Sequence, residues 1–235
     1  DWSAPAPVRA VTTTRTGGFS LAPFDSLNLA LHVGDSPDHV AQNRALLQQA
    51  LHLPAEPCWI NQTHGIDVVT LEQDGSRDAD AAITRLPGTV AVVMTADCLP
   101  ILVCNRDGTE VAAIHAGWRG LQAGVIQATL ASMVSANERL MAWVGPGISQ
   151  GNFEVGEEVR TAFVDSTPRA ESFFRANRAG HWLCDLAGLA ESVLLGQGVG
   201  EVCRYAGCTH GDADRFFSYR RNATTGRFAS LIWIT

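Results

Sequence analysis

Three stretches of the sequence each place a metal-binding or nucleophilic side chain next to a short apolar run. Cys98 follows residues 90–94, His115 follows residues 111–114, and His64 lies in a polar loop after a third apolar run. Short β-branched runs bounded by turn residues are typical of buried strands, so we expect rigid backbone to hold these side chains. We expect the three strand ends to converge. Two imidazoles and a thiolate would then form a ligand set that suits zinc.

The number of ligands distinguishes the kinds of zinc site. Three protein ligands leave the fourth tetrahedral position for water, which is the arrangement of a catalytic site. Zinc lowers the pKa of that water toward 7, so a hydroxide nucleophile forms at neutral pH. Structural zinc usually has four ligands in Cys-x-x-Cys spacings, and the sequence contains no such spacing. Cys203 and Cys208 are separated by four residues and have no second pair, so they are a weak metal signal.

Copper is the alternative metal, because two His and one Cys are also the ligands of blue-copper sites. A multicopper oxidase needs many more histidines, typically in His-x-His pairs. This sequence has seven His and no such pair. We therefore expect zinc rather than copper.

Several arginines are candidates for binding a phosphate or a carboxylate, because a guanidinium can form bidentate hydrogen bonds. Arg119 would lie in the first turn of a helix that follows His115, where free backbone N–H groups and the helix dipole favour anions. Arg15 and Arg220 are the other candidates. An anion site made by these residues would be a local cationic cluster within an acidic protein.

Cys98 and His115 also allow a metal-free alternative. The thiolate would then be a nucleophile and the imidazole its base, as in a Cys–His dyad, with an amide bond as the natural substrate. Asp97 is a further acid–base candidate. In an extended strand its side chain would point away from that of Cys98, but at the strand end it can turn inward.

Composition limits the classes of function. The chain has 235 residues, enough for a large core in a single domain (1–235) or two tightly fused halves. The net charge of -7 argues against nucleic acid and anionic membranes as partners. No apolar run approaches the roughly 18 residues of a membrane span, and no signal peptide is recognisable. The six cysteines are scattered through apolar runs, so we expect free thiols in a cytoplasmic protein.

Apolar runs and periodicities predict an α+β protein with mixed sheets, because strands and helices do not alternate in strict βαβ order. The predicted strands are residues 9–15, 58–60, 67–71, 78–83, 90–94, 101–104, 111–114, 140–144, 202–205, 216–220 and 227–234. The predicted helices are residues 36–51, 118–134, 155–163, 170–175 and 186–195. Ser36 is the expected N-cap of the first helix, with Pro37 at its first position. We expect hairpin turns at residues 105–108 and 222–226.

The motifs resemble those of the YfiH family, also called the laccase-domain or polyphenol-oxidase-like family. The resemblance runs nearly from end to end and is far more specific than any single motif. It is carried by Arg15-Thr16-Gly17-Gly18, Asp25-Ser26-Leu27-Asn28-Leu29, Asn61-Gln62-Thr63-His64-Gly65, Thr95-Ala96-Asp97-Cys98-Leu99-Pro100, His115-Ala116-Gly117-Trp118-Arg119-Gly120, Gly145-Pro146, Phe153-Glu154-Val155-Gly156 and Phe216-Phe217-Ser218-Tyr219-Arg220-Arg221. The stretch around His210 is less typical of the family.

The resemblance implies a single domain of two fused halves, layered α/β/β/α with mixed sheets and similar in fold to cysteine deamidases of bacterial toxins. It implies zinc bound by His64, Cys98 and His115. It also implies purine nucleosides and phosphate as substrates: phosphorolysis of adenosine, inosine, guanosine or methylthioadenosine, and deamination of adenosine. The signature of the well-known zinc deaminases is absent, so another group must be the general acid. Arg15 and Arg119 are the candidates for the phosphate.

Three hypotheses therefore remain after the sequence. The first is a zinc-dependent purine nucleoside phosphorylase and adenosine deaminase, acting as a monomer or homodimer. The second is a metal-free cysteine hydrolase that uses the Cys98–His115 dyad. The third is a non-catalytic interaction protein with a structural zinc, which chelation would unfold.

Overall fold

The computed structural model describes residues 2–73, 75–166 and 169–235, and within them the chain forms 12 strands in three sheets, with five α-helices. The strands are β1 (Val8–Thr12), β2 (Val68–Thr70), β3 (Ala81–Thr84), β4 (Ala91–Thr95), β5 (Leu99–Asn105), β6 (Val111–Ala116), β7 (Leu140–Val144), β8 (Glu154–Gly156), β9 (Phe174–Arg178), β10 (His181–Cys184), β11 (Glu201–Arg204) and β12 (Phe228–Ile234). The helices are α1 (Pro37–Ala50), α2 (Trp118–Ala123), α3 (Val125–Ser132), α4 (Glu157–Ser166) and α5 (Leu186–Gly196). The predicted mixed α and β class is confirmed.

A six-stranded mixed sheet in the order β11-β7-β5-β6-β3-β2 forms the centre of the molecule. Every residue of β5 and β6 is buried, so both faces of these strands are covered. Alternate side chains point to opposite faces. Ile101 packs with helical residues such as Leu189, and Leu102 packs with strand residues such as Ile232. The central sheet therefore has helices against one face and a second sheet against the other.

The second sheet is antiparallel, in the order β1-β12-β4. On its other face Val92 and Leu231 pack against Leu47 of α1. Side chains buried in this way each stabilise the fold by roughly 1.5–3 kcal/mol relative to exposure. β12 lies between two partners and positions the residues that precede it beside the end of β4.

The third sheet, in the order β8-β10-β9, lies beside α4 and was not predicted. Most of its residues are exposed or half-buried, and β9 contains Arg175, Asn177 and Arg178, so it lacks the apolar pattern of a core strand. Residues 154–156 form β8 rather than the start of a helix. The predicted helix at 170–175 is wrong, because Ala170–Phe173 is a single 3₁₀ turn that leads into β9.

Other predictions need correction as well. The predicted helix 118–134 is two helices, because Gly124 adopts a left-handed φ of 104° between α2 and α3. Residues 58–60 contain only an isolated bridge from Cys58 to Ala91. The predicted C-terminal hairpin is wrong: residues 216–220 contain no strand, and β12 pairs with β1 and β4 instead. None of the described helices is long and apolar enough to cross a membrane.

Candidate metal centre and its cavity

The three predicted ligands come together. One donor atom from each of His64, Cys98 and His115 lies within 4.8 Å of the others. Cys98 lies in the tight turn between β4 and β5, and the pairing of Pro100 with His115 in the β5–β6 ladder brings Cys98 beside that histidine. The rings of the two histidines meet edge to face, with centroids 4.7 Å apart. Two imidazoles and a thiol in this arrangement can hold a transition-metal ion.

A buried carboxylate organises this centre. Asp80 is fully buried just before β3, and its oxygens accept hydrogen bonds from the backbone N–H groups of Thr63 (3.2 Å), His64 (3.0 Å) and Gly65 (2.6 Å). The Thr63 hydroxyl donates a further bond of 3.0 Å. Asp80 therefore fixes the loop that carries the first ligand, whose residue His64 has a left-handed φ of 61°.

Asp80 also holds the second histidine ligand. Its Oδ1 lies 2.7 Å from Nδ1 of His115. Burial opposes ionisation of Asp80, but the hydrogen bonds from His115 and Gly65 and the nearby imidazole charge lower its pKa to about 2. An ionised Asp80 can only accept, so His115 must donate from Nδ1, which leaves Nε2 for a metal. This is the carboxylate–histidine pairing that orients ligands in many metal sites.

Cys98 and His115 form a strongly coupled pair when no metal is bound. Burial opposes ionisation of the Cys98 thiol, but the charge and hydrogen bond of His115, together with a hydrogen bond from His64, lower its pKa to about 6. Burial likewise opposes charging of His115, but Cys98 and Asp80 raise its pKa to about 9. At neutral pH the pair is a thiolate and an imidazolium. A thiolate is the form that binds a metal and also the form that acts as a nucleophile.

Two glycines after His115 make room for the ligands. A Cβ atom on Gly117 would lie 3.0 Å from Sγ of Cys98 and 3.1 Å from Cδ2 of His64. A Cβ atom on Gly120 would lie 2.9 Å from the carbonyl oxygen of Gly65. Any larger residue at either position would displace a ligand or the loop that carries one.

The ligand set lines a cavity of about 550 Å³, a size typical of small-molecule sites. The aromatic side chains of Trp118, Phe153 and Tyr219 line the same cavity. These rings offer flat apolar surfaces on which a planar aromatic ligand can stack.

Three arginines also line the cavity, and none of them forms an ion pair within the described ranges 2–73, 75–166 and 169–235. The Arg119 guanidinium lies over the Trp118 ring at 4.4 Å. Arg220 donates to the carbonyl oxygen of Glu154 at 2.8 Å. Arg227 donates to backbone carbonyls of its own turn, and burial lowers its pKa. Unpaired cations at one cavity of an acidic protein favour an anionic ligand.

Asp97 positions one of these arginines. It has a left-handed φ of 94° and is buried. Its Oδ1 accepts from the Thr209 hydroxyl (2.7 Å), and its Oδ2 accepts from the Ser218 hydroxyl (2.9 Å) and the Arg220 backbone N–H (2.7 Å). With both oxygens engaged, Asp97 ties residues 209–220 to the turn that bears Cys98.

The structure does not bring Arg15 to this cavity. Its guanidinium pairs with Asp25 at 3.1 Å, donates to the carbonyl oxygen of Ala213, and lies over the ring of Phe217. These contacts hold neighbouring loops together. Arg119 and Arg220, the other two candidates, do line the cavity.

Cys203, Cys208 and His210 do not join the three predicted ligands. The one group of three or more metal-binding side chains found in the described part of the chain does not include Cys203 or Cys208. Cys208 instead accepts hydrogen bonds from Ser149 and Asn152. The carbonyl oxygen of His210 accepts from Arg221.

Sequence reasoning missed three residues of this site: Asp80, Arg227 and His32, which also lines the cavity. Asp80 lies in a predicted strand between two alanines. The sequence indicates only that a carboxylate in such a buried strand needs hydrogen-bond or charged partners. Arg227 and His32 lie in no chemically suggestive pattern. Their positions follow from contacts between distant parts of the chain.

Comparison with known proteins places these features in context. A family model described as multi-copper polyphenol oxidoreductase laccase matches residues 9–235. The chain is 49% identical over 235 residues to the Escherichia coli (strain K12) protein named purine nucleoside phosphorylase YfiH, covering 99% of this chain and 96% of that protein. It is 48% identical over 235 residues to a Pseudomonas aeruginosa protein also named a purine nucleoside phosphorylase, covering 100% of this chain and 96% of that one.

Solved structures show the same fold. The Neisseria meningitidis protein NMB0706 superposes with a TM-score of 0.95 at 47% identity, covering 100% of this chain and 97% of that chain. A Bacillus licheniformis YfiH structure superposes with a TM-score of 0.92 at 27% identity, covering 97% and 93%. The family match spans all three ligand positions and the arginine-lined cavity. The chain therefore belongs to the multi-copper polyphenol oxidoreductase laccase family, together with the YfiH proteins.

Proposed function

We propose that this chain is a zinc-dependent purine nucleoside phosphorylase that also deaminates adenosine. One observation carries the proposal: a three-residue metal-ligand set and three unpaired arginines line the same aromatic-walled cavity. The names of the Escherichia coli and Pseudomonas aeruginosa relatives support the phosphorylase part of this proposal. The proposed substrates are adenosine, inosine, guanosine and methylthioadenosine.

His64, Cys98 and His115 would hold the zinc ion. The donor set fits, because the Cys98 thiol ionises below neutral pH and Asp80 directs Nε2 of His115 toward the other ligands. Two nitrogens and a sulfur suit zinc, and with seven His the chain has no His-x-His pair of the kind that multicopper centres use. When bound with three protein ligands, zinc supplies a Lewis acid and lowers the pKa of a coordinated water.

The arginines would bind the phosphate. In phosphorolysis a phosphate oxygen forms a bond to C1′ of the ribose while the C1′–N9 bond breaks and its electron pair passes to the purine. Arg119, Arg220 and Arg227 would neutralise the phosphate and hold its oxygens by charge-assisted hydrogen bonds. Trp118 and Phe153 would contact the purine through the ring surfaces that Arg119 and Arg220 leave uncovered. In deamination the same surfaces would hold adenosine while water adds at C6 and ammonia leaves.

The test is an assay of purified, metal-analysed protein on adenosine with and without phosphate, with adenine, inosine and hypoxanthine separated by chromatography. We expect phosphate-dependent adenine, together with inosine, from protein that holds near one zinc per chain. His64→Ala should lose the metal and both products. Arg119→Ala should raise the KM for phosphate about 10-fold, which is roughly 1.4 kcal/mol of binding. Arg139→Ala is the matched control, since that guanidinium is exposed, pairs with Asp107 at the surface and does not line the cavity.

No turnover of any nucleoside by fully metal-loaded protein would contradict the proposal. The Cys98–His115 ion pair is the specific observation that favours the alternative, a cysteine hydrolase. Rapid alkylation of Cys98 with retained amidase activity in metal-free protein would support that alternative. Unfolding on chelation, with no activity in either form, would indicate a structural metal.

A further inference from the structure

The cavity contains one titratable side chain whose role is still unassigned. Apart from the three ligands and the three arginines, the titratable groups that line it are His32, Asp97 and Tyr219. Both oxygens of Asp97 accept hydrogen bonds from the protein. Tyr219 and His32 are both exposed on the cavity side, but the Tyr219 ring already lies against the Arg227 guanidinium, 5.9 Å from its centroid. His32 is therefore the candidate within the cavity for exchanging a proton or hydrogen bond with a ligand.

His32 lies in a loop that is built from buried polar contacts. Residues 28–35, here called the His32 loop, contain a short 3₁₀ turn at Leu31–Val33. The fully buried Asn28 folds this loop: its Oδ1 accepts from the Ala30 N–H (3.1 Å), and its Nδ2 donates to Oδ2 of Asp35 (2.8 Å). The same Oδ1 also accepts from the Arg227 N–H at 2.9 Å. One amide thus fixes His32 relative to Arg227.

Two side chains of helix α1 hydrogen-bond to the backbone of the His32 loop. Asn43, also fully buried, donates to the carbonyl oxygen of Asn28 at 2.8 Å. Arg44 donates to the carbonyl oxygen of Leu29 through Nε (3.0 Å) and Nη2 (2.8 Å). Buried polar networks of this kind fix one conformation when every member is satisfied. From the whole loop, His32 is the residue that lines the cavity.

The surroundings of His32 disfavour protonation of its imidazole. Burial, followed by the positive charges of Arg227 and Arg44 and of the two ligand histidines, lowers the pKa of His32 below its ordinary value of 6.5. Within the described residues its side chain forms no hydrogen bond or ion pair with the protein. A neutral imidazole has one N–H donor and one acceptor nitrogen, and both are free for a ligand.

We propose that His32 is a catalytic residue that donates its N–H to the purine leaving group during phosphorolysis. This inference rests on the proposed function. As the C1′–N9 bond breaks, the purine gains the electron pair and needs one proton. The imidazole supplies that proton to a purine nitrogen and recovers one, at its other nitrogen, from the phosphate hydroxyl. The products are the neutral base and ribose 1-phosphate. A neutral histidine that donates to developing negative charge has precedent in enzyme chemistry.

The experiment compares guanosine with 7-methylguanosine. Methylation makes the imidazole ring of the base cationic, so this substrate needs no proton from the enzyme. His32→Ala should lower kcat for guanosine about 100-fold, the typical contribution of one proton-transfer group, and change kcat for 7-methylguanosine less than about 3-fold. His32→Gln keeps an N–H donor but cannot relay a proton, so it should fall between wild type and His32→Ala. His52→Ala, at an exposed histidine, is the matched control.

The outcomes distinguish this inference from the proposed function. An equal loss on both nucleosides, or a rise in the KM for phosphate alone, would make His32 a phosphate-binding or structural residue and overturn the inference. Unchanged turnover of guanosine would overturn it as well. Wild-type protein that turns over neither nucleoside would overturn the proposed function and this step with it. Thermal unfolding and metal content show whether His32→Ala is folded. If it is not, the two nucleosides are compared with His32→Gln instead.

Discussion

Asp80 and Asp97 are both buried carboxylates behind the same cavity, yet they support different structures. Asp80 accepts five hydrogen bonds, from residues 63–65 and from His115, and all of these donors belong to the metal side of the cavity. Asp97 accepts three, from residues 209, 218 and 220, which belong to the arginine side. The metal side (His64, Cys98 and His115) is therefore built on strand ends and one short loop. On the arginine side, Arg119 lies on α2, whereas Arg220 and Arg227 lie on loops from distant parts of the chain.

The difference indicates that metal binding and anion binding have separate supports. The ligand set depends on the β5–β6 ladder and on Asp80. Arg220 and Arg227 depend on Asp97 and on Asn28. Substitutions should then affect one side without the other, and the following predictions test this separation from the largest expected effect to the smallest.

Asp80→Ala should have the largest effect, because it leaves three part-buried N–H groups without an acceptor and frees the ring of His115. We expect the protein to lose its metal and the free energy of unfolding to fall by about 3 kcal/mol or more. Asp80→Asn, which keeps the shape, should weaken metal binding by about 10–100-fold. Metal titration measures the affinity for the metal, and urea unfolding measures the free energy of unfolding. Normal metal affinity in Asp80→Asn would show that the carboxylate does not support the metal side.

Gly117→Ala should affect the metal side without changing the fold. Gly117 has an ordinary φ of -73°, so alanine brings no backbone strain there, but its methyl group would press on Cys98 and His64. We expect metal affinity to fall by about 10-fold or more, as for other changes that misalign ligands, while the unfolding midpoint of the metal-free protein stays within error. Gly151→Ala is the matched control, since a Cβ there meets nothing within 4 Å.

Asp97→Asn should act on the arginine side. The amide removes the negative charge and replaces one of the two acceptor oxygens by an NH₂ group, which weakens the bonds from Thr209, Ser218 and Arg220, so residues 209–220 should shift. We expect the KM for phosphate to rise about 10-fold with metal content unchanged, at a stability cost of about 1–3 kcal/mol. Steady-state kinetics and metal analysis test this. Loss of metal from this variant would contradict the separation of the two sides.

The smallest expected effect concerns the pH dependence of thiol alkylation. Because the pKa of Cys98 is about 6, its alkylation in metal-free protein should rise with pH through a midpoint near 6 rather than 9. Burial raises the pKa of both Cys104 and Cys184 to about 12, so these thiols should stay unmodified at pH 7 and serve as internal controls. Mass spectrometry locates the adducts. His115→Gln should move the midpoint upward, whereas Asp97→Asn should leave it unchanged.

The convergence of His64, Cys98 and His115 could be predicted from the sequence because each lies beside an apolar run, where local pattern fixes both the strand and its end. The C-terminal hairpin could not. Phe216 and Phe217 look like strand residues, but their rings pack beneath a loop against Phe228 and Ala96, so the apolar pattern is satisfied without strand pairing. Arg227 and His32 could not be assigned either, because the contact that joins them runs through Asn28, almost 200 positions from Arg227 along the chain.

The placement of β12 determines when this site can form during synthesis. β12 is the middle strand of its sheet, yet it follows every other strand in chain order. The ribosome releases residues 64, 98 and 115 long before it releases Arg227, which is anchored at the start of β12. A nascent chain therefore holds all three predicted ligands and Arg119 while Arg220, Arg227 and the strand that pairs with β4 are still missing. The proposed nucleoside turnover should appear only after the last strand has inserted between β1 and β4. This long-range closure is slow, so activity would be a late event in folding.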